Sequence, residues 1–394
     1  MRTDTPSLPM LLRTHFLRVA VLSMAGLAIL NAAVTPAHAG TRKPNEMKRA
    51  VDEPATILGQ WQTGNTQLRP FTCTSDRIYL SGDTTAELWD TNGKQLWQTA
   101  LAVETHFRPR VNDGVMVVGG RKGLAALDAQ SGQILWTHTV GEKEQLSVPL
   151  IAAGKVIVGQ DSWLKAFDAH TGEELWEFEI VVPRLIAYPP IAYRDKWVLM
   201  GPGDGNLYAI DIEDGSLVWK NNTGKRRWQY LRQLYVTQDA TGQDILVAGG
   251  YKDDLYGIKI ENGEPLWRFY GGNFINSHMV ANDQTYFWSP TGWLYSLDVR
   301  NGNMRWRHLT DDHRASSGYK KWGHFMAELI SDDKAVYALD MRDTLHILDR
   351  KNGDELKAYD LPFNARFFLC TTGDNKTVFV GSREGEIVKV GVDF

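Results

Sequence analysis

The stretch Asp128-Ala-Gln-Ser-Gly132-Gln-Ile-Leu-Trp136 recurs along this chain with small changes. An Asp followed by polar residues and a Gly is typical of a hairpin turn, because the Asp side chain can hydrogen-bond its own turn and Gly supplies the positive φ that closes it. Each copy is therefore expected to join two antiparallel strands. The tryptophans that end full or partial copies are Trp61, Trp97, Trp136, Trp176, Trp219, Trp267 and Trp306.

The residues before each copy also predict strands. Alternating apolar runs at 115–119 and 124–128, with a glycine-containing turn between them, have the period of antiparallel strands. Each repeat unit is thus a four-stranded meander. From Trp61 to Lys357, which replaces Trp in the seventh full copy, successive anchors are 36, 39, 40, 43, 48, 39 and 51 residues apart. This spacing matches one blade of a β-propeller.

The two ends of the chain predict how the ring closes. After the seventh copy, strands are expected at 365–371, 377–381 and 386–392, which is one strand short of a blade. Residues 55–63 form a lone predicted strand with no blade before it. Pairing this strand with the last three would remove two exposed sheet edges. We therefore predict an all-β, eight-bladed β-propeller of four-stranded antiparallel blades over residues 55–394, with the last blade closed by the amino-terminal strand.

Composition and charge exclude several functional classes. With 394 residues, of which 43% are hydrophobic and 23% charged, the chain is typical of a folded globular protein rather than a disordered or fibrous one. Its net charge of −4 disfavours a protein that binds nucleic acid or another polyanion.

The amino terminus has the pattern of an export signal. Arg2, Arg13 and Arg18 precede a mainly apolar run at 19–30, and an A-x-A motif predicts cleavage after Ala39. The alternative is an uncleaved membrane anchor, but the run is shorter than the roughly 20 residues that a membrane span needs.

These features predict a signal peptide at 1–39, a linker at 40–54 and a mature protein that is periplasmic or secreted. No Cys lies near the predicted cleavage site, so we expect neither a lipid-modified terminus nor a membrane anchor.

The phrase Ala126-Leu127-Asp128-x-x-x-Gly132-x-x-x-Trp136 resembles the tryptophan-docking repeat of the pyrroloquinoline-quinone (PQQ) type β-propellers. The resemblance covers residues 55–394 and implies the fold more than the function, since the family includes quinoprotein dehydrogenases and many propellers that bind no quinone. In size and blade number the chain is also similar to the lipoprotein propeller of the outer-membrane β-barrel assembly machine. It differs from that propeller in lacking a lipidation Cys.

The same resemblance implies what a dehydrogenase of this family would carry. It would have two adjacent cysteines at the cofactor, calcium-binding carboxylate and amide groups, and often a C-x-x-C-H haem motif, whereas this chain has only Cys73 and Cys370. The H-E-x-x-H, G-x-S-x-G and G-x-x-x-x-G-K-[ST] motifs are absent as well. We therefore favour a noncatalytic binding or scaffold protein without a cofactor. The alternative is a PQQ-binding quinoprotein-type enzyme or an accessory protein of a periplasmic dehydrogenase.

The tryptophans of the repeat are assigned to packing between blades rather than to an aromatic cage, because they recur at the end of the repeat phrase and bury a large apolar area.

The longest anchor spacings predict extended loops on one face of the propeller. Extra residues fall at 221–243 and 307–324, and long loops on a rigid scaffold are where binding function tends to lie. Together with equivalent positions of other blades, these loops are expected to surround a funnel mouth with cationic and aromatic side chains. The predicted binding residues are Arg69, His106, Arg108, Arg184, Arg226, Arg227, Trp228, Lys320, Lys321, Trp322, His324 and Arg366.

Such a mouth favours an acidic protein partner or an anionic small molecule, because Arg makes bidentate contacts with carboxylates. The alternative is that these are solvated loop charges paired with neighbours such as Asp311 and Asp312. A metal site at His308, His313 and His324 is disfavoured, since no close ligand spacing supports it. We expect a monomer.

Cys73 and Cys370 occupy matching points on the predicted innermost strands of the first and eighth blades, which a closed ring makes neighbours. In an exported protein they could form a disulfide that joins the two ends of the ring. The alternative is two buried free thiols that behave as small hydrophobic groups.

Overall fold

The computed structural model describes residues 50–65, 68–180, 190–221, 233–239, 241–249, 254–271, 278–288, 293–309, 329–340 and 342–394, without the side chains of 366–368. Within these ranges the regular structure is entirely β-strand. No helix that could cross a membrane is found in the part of the chain described.

The strands form eight antiparallel meanders of four strands each, as the repeat predicts. From the inner to the outer strand, the first four blades contain β3 (Thr72–Cys73), β4 (Arg77–Gly82), β5 (Thr85–Asp90) and β6 (Gln95–Ala100); β7 (Arg110–Asn112), β8 (Val115–Gly120), β9 (Gly123–Asp128) and β10 (Ile134–Thr139); β11 (Leu150–Ala152), β12 (Lys155–Gln160), β13 (Trp163–Asp168) and β14 (Glu174–Glu179); β15 (Ile191–Tyr193), β16 (Trp197–Met200), β17 (Leu207–Asp211) and β18 (Leu217–Asn221).

The last four blades are built in the same way. They contain β19 (Leu234–Gln238), β20 (Asp244–Gly249), β21 (Asp254–Lys259) and β22 (Pro265–Tyr270); β23 (His278–Ala281), β24 (Gln284–Trp288), β25 (Trp293–Asp298) and β26 (Met304–Leu309); β27 (Leu329–Ser331), β28 (Ala335–Leu339), β29 (Thr344–Asp349) and β30 (Glu355–Asp360); β31 (Ala365–Thr371), β32 (Thr377–Ser382), β33 (Glu386–Gly391) and β2 (Thr56–Gln62). The second and third strands of each blade are the most buried, and the apolar core lies between the faces of neighbouring blades.

The amino-terminal strand closes the eighth blade, which confirms the predicted ring closure. β2 pairs antiparallel with β33, in a register that runs from Thr56 opposite Gly391 to Gln62 opposite Glu386. Because β2 supplies the fourth strand of blade 8, this pairing closes the ring.

Each outer-strand tryptophan packs against the hairpin glycine of the next blade. In blade 3, a Cβ added to Gly172 would lie only 2.7 Å from Cγ of Trp136, and the φ of Gly172 is +75°. The indole Nε1 of Trp136 donates a hydrogen bond of 2.9 Å to the carbonyl oxygen of Ala169 in the same hairpin. The repeat phrase thus supplies both halves of one contact, the glycine on one blade and the tryptophan on the blade before it. The contacting pairs are Trp61–Gly93, Trp97–Gly132, Trp136–Gly172, Trp176–Gly215, Trp219–Gly263, Trp267–Gly302 and Trp306–Gly353.

The interface between blades 7 and 8 departs from this pattern for a topological reason. The outer strand of blade 8 comes from the other end of the chain, so blade 8 has no hairpin between its third and outer strands on which a tryptophan of blade 7 could dock. Lys357 occupies the tryptophan position, and its Nζ lies 3.1 Å from Oε2 of Glu53.

Glu53 belongs to a strand that the repeat did not predict. β1 (Asp52–Pro54) pairs in parallel with β30, with Glu53 opposite Tyr359, and extends blade 7 to five strands. These residues lie at the end of the stretch 40–54 that sequence analysis assigned to a linker.

A buried ionic network lies beneath this extra strand. His346 Nδ1 is 2.7 Å from Glu355 Oε1 and its Nε2 is 3.4 Å from Asp340 Oδ2. The backbone N of Ala50 donates to the other oxygen of Glu355 at 3.1 Å. Burial alone would lower the pKa of His346, but the hydrogen bonds and charges of Asp340 and Glu355 raise it to about 9.

A buried glutamate links the closing strand to blade 1. Glu87 Oε1 accepts hydrogen bonds from the backbone N of Gly64 at 3.1 Å and from Nδ2 of Asn65 at 2.7 Å. Its Oε2 accepts from Nε1 of Trp89 at 2.8 Å and from Nε2 of Gln95 at 3.1 Å. Burial raises the pKa of Glu87, while these hydrogen bonds favour the ionised form.

Cys73 and Cys370 form a disulfide, so the bridge is confirmed over the free-thiol alternative. Their Cα atoms are 5.9 Å apart, on β3 of blade 1 and β31 of blade 8. This separation is within the range that a disulfide requires. The bridge and the β2–β33 pairing therefore hold the same junction of the ring.

We expect Gly172→Ala to destabilise the protein by about 2–4 kcal/mol, since it combines left-handed backbone strain with overlap on Trp136. Gly154→Ala is the matched control in the same blade, because Gly154 has a φ of +69° but nothing lies within 4 Å of an added Cβ. The control should cost only about 1–2 kcal/mol. Urea unfolding measures both values, and equal losses would show that the tryptophan contact is unimportant.

Replacing both cysteines by alanine should lower the free energy of unfolding by about 2–5 kcal/mol. The bridge spans a sequence separation of 297 residues, so it strongly restricts the unfolded chain. A reductant should lower the urea midpoint of the native protein to that of the double variant and leave the variant unchanged. A native midpoint that is insensitive to full reduction would contradict the stabilising role.

The His346 network predicts a pH dependence of stability. Because the pKa of His346 is raised above its unfolded value near 6.5, its contribution is complete below pH 6.5 and is lost as the pH rises through about 9. Native protein should lose on the order of 2–3 kcal/mol more than His346→Gln across that interval. If the free energies of unfolding of the two proteins changed in parallel between pH 6.5 and 9, protonation of His346 would not contribute to stability.

Candidate partner-binding site

A proline directly precedes the inner strand in three consecutive blades, blades 2 to 4. Pro109, Pro149 and Pro190 directly precede β7, β11 and β15. Proline has no backbone N–H to donate and is tolerated on edge strands. An inner strand is such an edge, because it pairs on one side only and its other side faces the axis of the ring.

A cavity of about 250 Å³ lies between the inner strands of blades 2 to 5. Its walls are mainly aliphatic, with polar groups contributed by Arg110, Asn112 and Gln233. The lining residues are Arg110, Val111, Asn112, Pro149, Leu150, Ile151, Pro190, Ile191, Ala192 and Gln233.

Hydrogen bonds from side chains to backbone carbonyls connect neighbouring blades around the cavity. Nδ2 of Asn112 lies 3.3 Å from the carbonyl oxygen of Ile151, which joins blades 2 and 3. The hydroxyl of Thr72 donates at 2.7 Å to the carbonyl oxygen of Pro109, which joins blades 1 and 2. The first contact joins the end of β7 to β11, and the second joins the start of β3 to the residue before β7, so these neighbouring inner strands are fixed to one another.

Three of the predicted mouth residues lie in the described part of the chain. Arg69 and Arg108 are half-buried and come shortly before the inner strands of blades 1 and 2. His106 is exposed; its Nδ1 is 2.7 Å from the carbonyl oxygen of Thr105, and its Nε2 is 3.8 Å from Oε2 of Glu104. The structure thus places these three residues ahead of two adjacent inner strands, β3 and β7, and β7 begins with Arg110 of the cavity.

The other predicted mouth residues fall where the structure gives no side-chain description, and they stay a prediction. Arg366 belongs to β31, but its side chain is not among those described. The residues outside the described ranges are Arg184, Arg226, Arg227, Trp228, Lys320, Lys321, Trp322 and His324. His308, which was considered with the mouth loops, is instead a buried residue of β26 whose Nδ1 is 3.2 Å from the carbonyl oxygen of Gly353.

Sequence analysis missed Arg110, Asn112 and Gln233, because it followed the long loops and not the short inner strands. The signal that could have found the first two is the proline at the start of β7, which marks a strand with a free edge. Gln233 carries no such signal, and it joins the cavity only because the ring places the start of blade 5 beside the inner strand of blade 4.

Within the described ranges, no group of three or more His, Cys, Asp or Glu side chains is placed to hold a metal ion. The cavity also fits a quinone cofactor poorly. Arg110 is the one cationic side chain among these lining residues, whereas the three carboxylates of such a quinone would need several cationic partners. The two cysteines lie on different blades rather than side by side. We derive no chemistry through such a cofactor.

The comparisons with known proteins agree with this architecture. A family model described as outer membrane protein assembly factor BamB matches residues 82–229 and again residues 220–390. The chain belongs to this BamB family. The PQQ-type propeller resemblance and the similarity to the assembly-machine propeller, both expected from the repeat phrase, are therefore confirmed.

Individual relatives of the BamB family are distant in sequence. The outer membrane protein assembly factor BamB of Shewanella oneidensis is 25% identical over 324 residues, which cover 76% of this chain and 78% of that protein. The crystal structure of BamB from Moraxella catarrhalis superposes with a TM-score of 0.65 at 18% identity, over 86% of this chain and 98% of that one.

Enzymes share the same fold. The quinohaemoprotein alcohol dehydrogenase of Comamonas testosteroni superposes with a TM-score of 0.64 at 11% identity, over 87% of this chain and 78% of that one. At such low identity the likeness concerns the fold alone, and the residues of the site must decide the function.

Proposed function

We propose that this protein is a noncatalytic periplasmic scaffold that binds protein partners during outer-membrane protein assembly. The observation that carries the proposal is the BamB family match, which extends over most of the propeller. The export signal predicted at 1–39 is consistent with this location. A rigid ring with an open axial cavity suits a binding protein, since it presents its loops without needing to rearrange.

We further propose that the mouth of the propeller binds an acidic segment of the partner. Arg69 and Arg108 precede adjacent inner strands, and Arg110, the first residue of the second of these strands, lines a cavity with mostly aliphatic neighbours. This combination favours an apolar side chain flanked by carboxylates, because the guanidinium groups can pair with the carboxylates while the apolar group leaves water. The predicted loop cations, including Arg226, Arg227, Lys320 and Lys321, would extend the same surface.

The proposal is tested by charge reversal at the mouth. The variant Arg69→Glu with Arg108→Glu should capture less outer-membrane assembly protein from a bacterial envelope extract, as measured by quantitative mass spectrometry. We expect a loss of at least tenfold, and added salt should weaken capture by the native protein. A second double variant, Arg226→Glu with Arg227→Glu, tests the predicted loop cations in the same way.

The matched control is Lys94→Glu with Lys351→Glu. Both lysines are exposed in outer hairpins, which lie on the opposite face from the inner-strand starts, and the change in net charge is identical. Thermal melting verifies that all variants fold. Capture that falls equally in control and mouth variants, or in neither, would contradict binding at the mouth, whereas capture of no envelope assembly protein by the native chain would contradict the scaffold role.

A further inference from the structure

Four of the hairpins that carry a docking glycine place an asparagine directly before it. An asparagine followed by glycine is chemically labile, because glycine has no Cβ to hinder attack of its backbone nitrogen on the side-chain amide carbon of the asparagine. All four asparagines are exposed. The pairs, in blades 1, 5, 6 and 7, are Asn92-Gly93, Asn262-Gly263, Asn301-Gly302 and Asn352-Gly353.

In blades 5, 6 and 7 the hairpin restrains this asparagine. The side-chain Oδ1 accepts a hydrogen bond from the backbone N two residues further on, at 3.0 Å for Asn262, 2.9 Å for Asn301 and 2.8 Å for Asn352. The glycine that follows is buried in all three hairpins, and its N–H donates at 2.8–2.9 Å to the carbonyl oxygen four residues earlier. Both reacting groups are therefore held in hydrogen bonds.

The hairpin of blade 1 is one residue shorter, and this changes the contacts. Gly93 follows Asp90 by three residues, whereas Gly353 follows Asp349 by four. Oδ1 of Asp90 accepts from the backbone N of Asn92 and from that of Lys94, both at 2.9 Å. The N–H of Lys94 is thus taken by Asp90, although the equivalent N–H in the other three hairpins binds the asparagine.

Asn92 is consequently less restrained than the other three asparagines. Within the part of the chain that the structure describes, its side-chain amide makes no hydrogen bond. Gly93 is half-buried rather than buried, so water reaches its N–H, and that N–H lies 3.2 Å from the carbonyl oxygen of Asp90. The pair in blade 1 combines an untethered side chain with the longest of the four glycine hydrogen bonds.

This hairpin is also where blade 1 meets blade 8. Trp61 of the closing strand β2 lies so close to Gly93 that no Cβ could be accommodated there. Lys389 of β33 donates through Nζ to the carbonyl oxygen of Thr91 at 3.0 Å. A change in the main chain at Asn92 would therefore act directly on the contact that closes the ring.

We propose that Asn92 is a site of spontaneous deamidation and isoaspartate formation that weakens ring closure as the protein ages. The Gly93 nitrogen bonds to Cγ of Asn92 and gives its proton to solvent, while the bond from Cγ to Nδ2 breaks and that nitrogen leaves as ammonia. One water molecule then opens the resulting succinimide. Attack at Cγ yields aspartate, and attack at the main-chain carbonyl carbon yields isoaspartate.

The isoaspartate product carries the structural effect. Its main chain runs through the former side-chain carbonyl and is longer by one methylene group, so Gly93 can no longer keep its place against Trp61. The aspartate product keeps the original main chain and adds only a charge at an exposed position. The modified hairpin thus loses its fit to blade 8 through length rather than through charge.

The test incubates the mature chain in mildly alkaline buffer and follows each pair by peptide mass spectrometry, with enzymatic methyl labelling to detect isoaspartate. Because a hydrogen bond must open before attack in each restrained hairpin, Asn92 should react about five to ten times faster than the other three asparagines. In urea, where the hairpins are absent, the four rates should become similar. Equal rates in the native protein, or a slower reaction at Asn92, would overturn the proposed site.

The effect on closure is measured as the urea midpoint during the same incubation. The native midpoint should fall as isoaspartate accumulates, while Asn92→Gln should keep its midpoint and the matched control Asn352→Gln should age like the native protein. Asn92→Asp copies the charge without the added methylene group, so its unaged midpoint should equal that of the unaged native protein. If native protein modified at Asn92 unfolds at the midpoint of fresh protein, the hairpin does not control closure. Binding at the mouth does not enter these measurements, so their failure would leave the proposed function untouched.

Discussion

The contact between an outer-strand tryptophan and the hairpin glycine of the next blade underlies the whole architecture. An indole lies against the glycine so closely that no Cβ could be accommodated, as the 2.7 Å approach of Trp136 to Gly172 shows. The same glycine has the positive φ that the hairpin needs, so one residue satisfies a turn and an interface at once. Because the two halves of the contact belong to successive blades, repeating the phrase is enough to build a ring.

Ring closure needs different interactions, because the repeat ends where the two chain termini meet. The outer strand of the last blade is β2, from the other end of the chain, so no hairpin glycine lies between its third and outer strands. This explains why Lys357 replaces tryptophan and pairs with Glu53 of β1. The disulfide between Cys73 and Cys370 joins the same two blades that β2 connects. Glu87 adds buried hydrogen bonds to Gly64 and Asn65 just after β2. The junction is therefore stabilised by the β2–β33 strand pairing, the disulfide and the hydrogen bonds of the buried Glu87 carboxylate.

The fold leaves two kinds of surface for partners. At the axis, short inner strands line a cavity with aliphatic side chains and Arg110. At the rim, each blade ends in a strand edge, and charged residues on outer strands such as β14, β18, β22 and β26 discourage pairing with other chains. Membership of the BamB family makes protein binding the function that the propeller supports best.

The sequence by itself determined the repeat, the number of blades and the closure by residues near 55–63, whereas it left the two cysteines open between a disulfide and two free thiols. These features depend on local turn chemistry and strand periodicity, which neighbouring residues encode. The tertiary structure alone decided that β1 covers blade 7, that Ala50 reaches Glu355 across 305 residues, and that Arg110, Asn112 and Gln233 share one cavity. Each of these depends on which distant segments the closed ring brings together, and no local pattern records that distance.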